Sequence, residues 1–207
     1  MKKLMIFLMA LLIAAPGYAD LQKELSKEIN KEYKKKLKDL KKENWKVMGS
    51  HSLEVSLLKH YIALNDMDAE AKEVIGMSVG KTKNNSYQSA SNNAMIHYAA
   101  SAGGTLKGRV MSDIFSDGSN PDEDFDKFFS TYERMVEKEI KSEMEESFAI
   151  IRQRDDKAYE VEIYYIVNED KAQNARMRAL DKAMRESEAM RKYADQLNDF
   201  AREGVSD

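Results

Sequence analysis

The closest approach to a known binding motif is the segment Gly76-Met77-Ser78-Val79-Gly80-Lys81-Thr82. Glycine, lysine and threonine in this order suggest a phosphate-binding loop, in which backbone amides wrap a phosphate and the lysine neutralises it. That loop needs four residues between its glycines and a helix that begins at the lysine. Three residues separate Gly76 from Gly80, and Lys83-Asn84-Asn85 delays the helix. The sequence therefore predicts no nucleotide site.

The histidines His51, His60 and His97 do not have the spacing of metal ligands. His51 and His60 are too far apart to share a helical face at i+3 or i+4, and no His-Glu-x-x-His motif occurs. His97 lies beside Tyr98 on a predicted helix, where a structural, hydrogen-bonded role is expected. The chain contains no cysteine, which excludes disulfides, thiol chemistry and cysteine metal sites. We predict no metal and no cofactor.

An acidic segment from Asp117 to Asp124 offers oxygen atoms that suit calcium. It lacks both the alternating ligands before the glycine and the later glutamate of an EF-hand loop. A turn followed by an acid-rich helix start explains it, because acidic residues favour the positive end of the helix dipole. No Gly-x-Ser-x-Gly elbow is present either. We therefore predict no catalytic residues and a protein that is not an enzyme.

Residues 20–44 predict a lysine-rich amphipathic helix. Ten lysines stand against six acidic residues from Asp20 to Lys46, so most of the helix surface is basic. One narrow apolar stripe has helical spacing and comprises Leu25, Ile29, Tyr33, Leu37 and Leu40. The stripe favours docking on the protein's own domain. A coiled coil or a peripheral contact with an anionic membrane are the alternatives.

Small residues predict close packing between a strand and the helix that follows it. In the strand from Val74 to Gly80, one face carries only Gly76, Ser78 and Gly80. The helix predicted from about Ser86 to Ala102 carries a matching stripe, namely Ala90, Ala94, Tyr98 and Ala102. Gly103-Gly104 is predicted to end this helix.

The second half of the chain predicts a loop, a helix, a hairpin and a last long helix. The loop spans Ser116 to Pro121, and a helix with an aromatic stripe starts near Asp122. Ser147 to Gln153 and Tyr159 to Val167 predict an antiparallel hairpin. Asn168 is positioned to cap a helix that runs towards the end of the chain. A short extended segment at Trp45 and a helix from Leu53 to Leu64, capped by Ser52, complete the earlier part.

This order predicts an α+β fold with a small, mainly antiparallel sheet of three to four strands packed with helices. Long charged helices are expected at both the N- and C-terminal ends. We assign residues 1–19 to a signal peptide, 20–44 to the lysine-rich helix, 45–183 to the α+β domain and 184–207 to a C-terminal helix extension.

The first nineteen residues have the three parts of a secretory signal. Lys2 and Lys3 precede an apolar run from Leu4 to Ala15, and Gly17-Tyr18-Ala19 supplies the small residues of a cleavage site. A spanning helix needs about 20 apolar residues, whereas this run has 12. We expect cleavage after Ala19 and a protein that is exported and not integral to the membrane.

Five features of the central region occur in a characteristic order. They are a tryptophan at a short strand, a small-residue strand, an alanine-spaced helix, a Leu-Lys-Gly segment, and a hairpin that enters an alanine-bearing helix. The residues are Trp45, Ile75 to Gly80, Ala90, Ala94 and Tyr98, Leu106 to Gly108, Tyr159 to Val167, and Ala172, Ala175, Ala179 and Ala183. Together they resemble small bacterial envelope lipoproteins, the group that includes flagellum-associated outer-membrane lipoproteins. The resemblance implies a structural or assembly role at the outer membrane, although this chain has no cysteine to carry a lipid.

These observations favour a non-enzymatic exported envelope protein of structural or protein-interaction type. The formal net charge of −3 disfavours nucleic acid as a partner. The expected partner is another envelope protein or a second copy of the chain. The periplasm is the expected location, with the cell surface or secretion as alternatives. A periplasmic small-molecule or lipid-binding protein, with a pocket between sheet and helices, is the alternative function.

Overall fold

The computed structural model describes residues 27–65, 71–115 and 123–202. The helices are α1 (Lys27–Lys42), α2 (Leu53–Asn65), α3 (Lys83–Arg109), α4 (Glu123–Ile140), α5 (Glu169–Glu186), α6 (Glu188–Arg191) and α7 (Ala194–Arg202). The strands are β1 (Lys46–Val47), β2 (Ala71–Gly80), β3 (Met144–Gln153) and β4 (Tyr159–Asn168). The four strands form one sheet in the order β1-β3-β4-β2, with every neighbouring pair antiparallel. The predicted α+β class and small antiparallel sheet are confirmed.

Side-chain caps begin the helices where polar residues precede apolar ones. The Asn168 Oδ1 atom accepts from the Lys171 amide at 3.1 Å, and the Ser52 hydroxyl accepts from the Val55 amide at 3.3 Å. Both caps agree with the sequence. The strands start earlier than their apolar runs indicate, because pairing continues through the polar residues at the start of β2 and β3.

The larger core lies on one face of the sheet. Alternate residues of β4 point into it, as their spacing predicts, and the aromatic stripe of α4 covers them. Its members include Val161, Ile163, Tyr165, Val167, Phe125, Phe128, Phe129, Tyr132, Val136 and Ile140. The helices α3, α4, α5 and α7 therefore close this face.

The smaller core lies on the opposite face, under α1 and α2. It comprises Tyr33, Leu40, Trp45, Leu53, Leu57, Leu58, Phe148, Ile150 and Tyr164. Tyr33 and Leu40 come from the apolar stripe of α1, so this stripe docks on the protein's own domain. Leu25, the first residue of the predicted stripe, lies outside the described residues.

Gly103-Gly104 does not end α3, contrary to the sequence prediction. The helix continues to Arg109 and then widens into a π-helical turn, Val110–Ile114. A Cβ atom on Gly103 would lie 2.2 Å from the Glu133 side chain of α4. A glycine costs a helix only about 1 kcal/mol, and the close packing of α3 on α4 at Gly103 offsets that cost.

The chain after Asn168 does not form one long helix. The α5 helix ends at Glu186, and Ser187 adopts an extended conformation. The α7 helix then buries Leu197 and Ala201 in the larger core. We predicted a continuous helix that projects from the domain for the extension at 184–207. Within the described residues, this prediction is wrong.

A buried arginine explains why the C-terminal part folds back. Arg176 is 2 % exposed, and its Nε donates to the Ala201 carbonyl of α7 at 2.9 Å. Its other nitrogens donate to the Tyr98 hydroxyl at 2.7 Å and to Glu169 at 2.6 Å. Three helices, α3, α5 and α7, are thereby joined through one side chain.

No helix among the described residues is long and apolar enough to cross a membrane. The predicted signal at 1–19 and the predicted loop at 116–121 lie outside the described residues.

Candidate functional site

Among the described strands, β2 is one edge of the sheet and has β4 as its single neighbour. The two strands pair in an uninterrupted register from Ala71 opposite Asn168 to Gly80 opposite Tyr159. Neither a bulge nor a proline interrupts these ten residues. Such an edge is a template for another strand.

The backbone groups of β2 that face outwards are identified by a contact with α3. The Asn93 side-chain amide donates to the Met77 carbonyl at 2.8 Å. In an antiparallel ladder both backbone groups of a residue point to the same side and the side alternates along the strand. Glu73, Ile75, Met77 and Val79 therefore present their backbone groups outwards. We refer to residues 73–81 as the β2 edge.

Exposed apolar side chains concentrate at this edge. Met77 is 51 % exposed and Val79 47 %, both on the face of β2 away from α3. Ile96 of α3, 47 % exposed, lies on the other face, three residues from Asn93. The other large apolar side chain exposed in the described residues, Met111, is 37 % exposed. An exposed apolar strip on an open strand is the usual mark of a protein contact.

The glycines of β2 bring α3 close to the edge. A Cβ atom on Gly76 would lie 2.0 Å from the Ala90 carbonyl oxygen, and one on Gly80 would lie 2.8 Å from the Ser86 hydroxyl. The predicted packing of two small-residue surfaces is confirmed. These glycines are occupied by helix packing, and α3 holds the β2 strand in place.

A shallow groove of about 490 Å³ continues from the edge along the first half of β2. Residues Ala71 to Ile75 form one side, and His97, Tyr98 and Ser101 of α3 form the other. Burial raises the pKa of the Tyr98 phenol, which Arg176 holds from behind. Tyr98 is therefore a fixed wall of the groove.

Glu73 is held at the edge by a buried histidine. The His60 Nε2 atom lies 2.6 Å from the Glu73 carboxylate. His60 is 1 % exposed, and its ring meets Phe148 and Tyr164 edge-on. The Glu73 side chain remains 38 % exposed. One oxygen of the Glu73 carboxylate is therefore held by His60, while the exposed part of the side chain stays available to a partner.

The carboxylates beside the apolar strip already have partners. Glu162, opposite Met77, accepts from the Tyr164 hydroxyl at 2.7 Å, and Glu160, opposite Val79, binds Arg152 at 2.9 Å. Burial, with Glu162 close by, raises the pKa of Tyr164 well above its usual range. The phenol therefore stays protonated.

The other edge of the sheet is closed by side chains where β1 pairs with β3, whereas β3 from Met144 to Phe148 has no β1 partner. The β1 strand is only two residues long, and the adjacent Trp45 is 5 % exposed. The Arg152 guanidinium lies 4.5 Å from the centre of the Trp45 ring and binds Glu43 at 2.6 Å. The Trp45 indole also donates to Glu43, at 3.2 Å. Side chains leave little backbone open here.

The residues singled out for chemistry are distributed through the fold. His60 is in the smaller core, His97 lines the groove and His51 is exposed before α2. Among the described residues there is no group of three or more His, Asp or Glu side chains arranged to hold a metal ion. The acidic segment 117–122 lies outside them.

The sequence shows the alternation of Met77 and Val79 but not their exposure. Either face of an isolated strand can be the buried one, and only strand order decides which strand is an edge. The exposed β2 edge was therefore missed.

Comparisons with protein-family models, with curated proteins and with solved structures give no match to this chain.

Proposed function

We propose that this chain is a non-enzymatic exported protein of the bacterial envelope, which binds another polypeptide chain through the β2 edge. The observation that carries the proposal is the coincidence of a sheet-edge strand with the exposed side chains Met77 and Val79.

Strand addition explains how this edge would bind. Outward-facing amides and carbonyls supply main-chain hydrogen bonds to an added strand, and the alternating apolar side chains supply contact area. The close packing of α3 fixes the strand beforehand, so little ordering cost arises on binding. This edge needs no catalytic or cofactor group to act.

The envelope assignment is supported by sequence features. The region from Met1 to Ala19 has the organisation of a secretory signal, and the pattern from Trp45 to Ala183 resembles envelope lipoproteins with structural roles. Without a lipidated cysteine, we expect protein contacts to retain the chain in the envelope.

Packing supports protein binding over the alternative of small-molecule or lipid binding. Large buried side chains fill both interfaces between sheet and helices in the described residues. A cavity near Phe128 and Ser187 has a volume of about 50 Å³, and the larger space beside β2 is an open groove. A lipid pocket typically measures at least about 300 Å³ and encloses most of its ligand.

A photo-crosslinking amino acid at position 77 tests the binding surface in intact cells. The matched control places the same group at Met111, which is also exposed but lies outside the β2 edge. We expect discrete adducts from position 77, with mass spectrometry locating the crosslink at a strand of the partner. Absence of adducts, or equal adducts from both positions, would contradict the proposal.

Export is tested separately by the mass of the protein recovered from the periplasmic fraction. We expect an N-terminus at Asp20. Ala19→Arg should block processing, because signal peptidase requires a small residue there. An unprocessed wild-type chain confined to the cytoplasm would contradict the envelope assignment.

A further inference from the structure

We propose that the partner of the β2 edge is the β2 edge of a second copy of this chain, paired antiparallel about a two-fold axis through Met77. The inference rests on the proposed function, since it uses the same surface, and it names the partner.

The register follows from the residues that face outwards. Two hydrogen-bonded edges must place outward residues opposite each other. A two-fold axis at Met77 places Met77 opposite its own copy and Ile75 opposite Val79 of the second copy. It also places the acidic Glu73 opposite the basic Lys81, the residue that follows the last residue of β2. Apolar pairs are thus central, with an opposite-charge pair at each end.

Neighbouring registers lose this match. An axis at Gly76 places Glu73 opposite Val79, and an axis at Ser78 places Ile75 opposite Lys81. Either register buries a charge against an apolar side chain, which is unfavourable. The charge pattern therefore selects the axis at Met77.

The α3 side of the strand accommodates the pairing. In this register Gly76 of one copy lies opposite Ser78 of the other, and Gly80 lies opposite Val74. The paired residues on that face are small, so no bulky side chain of one copy meets the α3 helix of the other.

Two side chains have contacts in the single chain that bear on the pairing of two copies. Glu73 is positioned by His60 and retains exposure for Lys81 of the second copy. Asn93 now occupies the Met77 carbonyl, which the Met77 amide of the second copy would take instead. Asn93 is thus a competitor that limits pairing, and Asn93→Ala should tighten the association about fivefold. An unchanged or weaker association of Asn93→Ala would contradict pairing through this carbonyl.

Cysteine substitution tests the axis directly, because the chain has no cysteine of its own. Residues facing each other in a hydrogen-bonded pair have Cα atoms about 5.5 Å apart, within the reach of a disulfide. Met77→Cys in the full-length processed protein should therefore form a disulfide-linked dimer under mild oxidation.

Val79→Cys is the matched control, since residues 77 and 79 are almost equally exposed. In the proposed register its two copies lie about 13 Å apart, beyond disulfide reach. We expect at least about tenfold more dimer from Met77→Cys. Equal yields, or no dimer from Met77→Cys, would overturn the register.

Charge reversal provides a second test by light scattering over a range of concentrations. Lys81→Glu should weaken association about tenfold, because it places two acidic residues opposite each other at both ends. In the Glu73→Gln background, which keeps an acceptor for His60, Lys81→Glu should weaken association much less, because the opposing acid is absent. If Lys81→Glu has no effect, or weakens the Glu73→Gln variant just as strongly as the wild type, the proposed pairing is wrong.

The two proposals fail differently. Position-77 adducts to another protein, without self-linked Met77→Cys, would reject the second copy as partner and keep the edge as a binding surface. No adduct of either kind would reject both.

Discussion

The two edges of the sheet are built in opposite ways. Where β1 pairs with β3, Trp45, Arg152 and Glu43 close the surface with side-chain contacts. Beyond β1, the register of β3 is irregular between Glu146 and Phe148. The β2 edge has a regular register, and Met77 and Val79 are about half exposed. One edge is therefore protected near Trp45 and irregular beyond it, while the other is available for pairing.

The two edges differ in how far side chains cover the backbone. Open edges invite unwanted association, and proteins shorten or cover them unless an edge has a use. The chain covers β1 with a buried tryptophan, whereas β2 has a regular register and exposes Met77 and Val79. The amide of Asn93, on the Met77 carbonyl, is a modest protection that a competing strand can displace.

The largest expected effect is at the closed edge. Trp45→Ala removes a buried indole from the smaller core and should destabilise the fold by about 3 to 5 kcal/mol. Denaturant unfolding followed by circular dichroism measures the change. Lys46→Ala, at the exposed neighbouring position, should change stability by less than about 0.5 kcal/mol. Similar values for both variants would show that the β1 edge is not closed by Trp45.

The next effect concerns the support of the open edge. Gly76→Ala places a Cβ atom 2.0 Å from the Ala90 carbonyl oxygen, so α3 must move away from β2. We expect a loss of about 3 kcal/mol in the free energy of unfolding. Thermal or denaturant unfolding measures it.

The matched control is Gly104→Ala in α3, where an added Cβ atom has no neighbour within 4 Å. This variant should instead gain about 0.5 to 1 kcal/mol, because alanine favours helix. If Gly76→Ala is as stable as the wild type, α3 does not hold the edge as described.

A smaller, pH-dependent effect is expected on the covered side. Lys41 of α1 binds Glu54 of α2 and lowers the pKa of that carboxyl below its ordinary 4.5. A lowered folded-state pKa stabilises the fold above that ordinary value and loses this contribution as the pH falls through the folded-state pKa.

Glu54→Gln should therefore cost about 0.5 kcal/mol at neutral pH, as partly exposed ion pairs do. The difference from wild type should disappear in acid, as the pH falls through the folded-state pKa of Glu54. Unfolding curves at neutral and at acidic pH measure it, with Lys41→Gln as the partner variant. A difference that persists in acid would show that the carboxylate's charge is not its cause.

The smallest expected effect on stability is at the open edge. Val79→Thr should change the free energy of unfolding by less than about 0.5 kcal/mol when measured on dilute monomer, because the side chain is half exposed. The same variant should weaken association. A loss above about 1.5 kcal/mol in the monomer would mean that Val79 belongs to the core and not to a binding surface.

Local patterns were sufficient for most of the fold. The alternation in β4, the aromatic stripe of α4 and the cap at Asn168 each depend on residues within one element. The complementary small residues of β2 and α3 also indicated a tertiary contact, which the structure confirms at Gly76. Such patterns can be read from the sequence because the residues of a buried face recur with the period of the helix or strand.

Predictions failed where distant contacts outweighed local preference. Gly103 was expected to end α3, but packing on α4 offsets the cost of a glycine within the helix. The chain after residue 184 was expected to project, but Arg176 ties Ala201 to the core from a site 25 residues earlier. Neither partner is visible in the local sequence.

By itself, the sequence determined the class of fold, the close packing of α3 on β2 and the absence of recognisable catalytic motifs. Only the tertiary structure decided that β2 is an edge and that Met77 and Val79 are exposed. The physical reason is that side-chain periodicity is a property of a single strand. The order of strands depends on contacts between residues far apart in the chain, and that order leaves one backbone edge open.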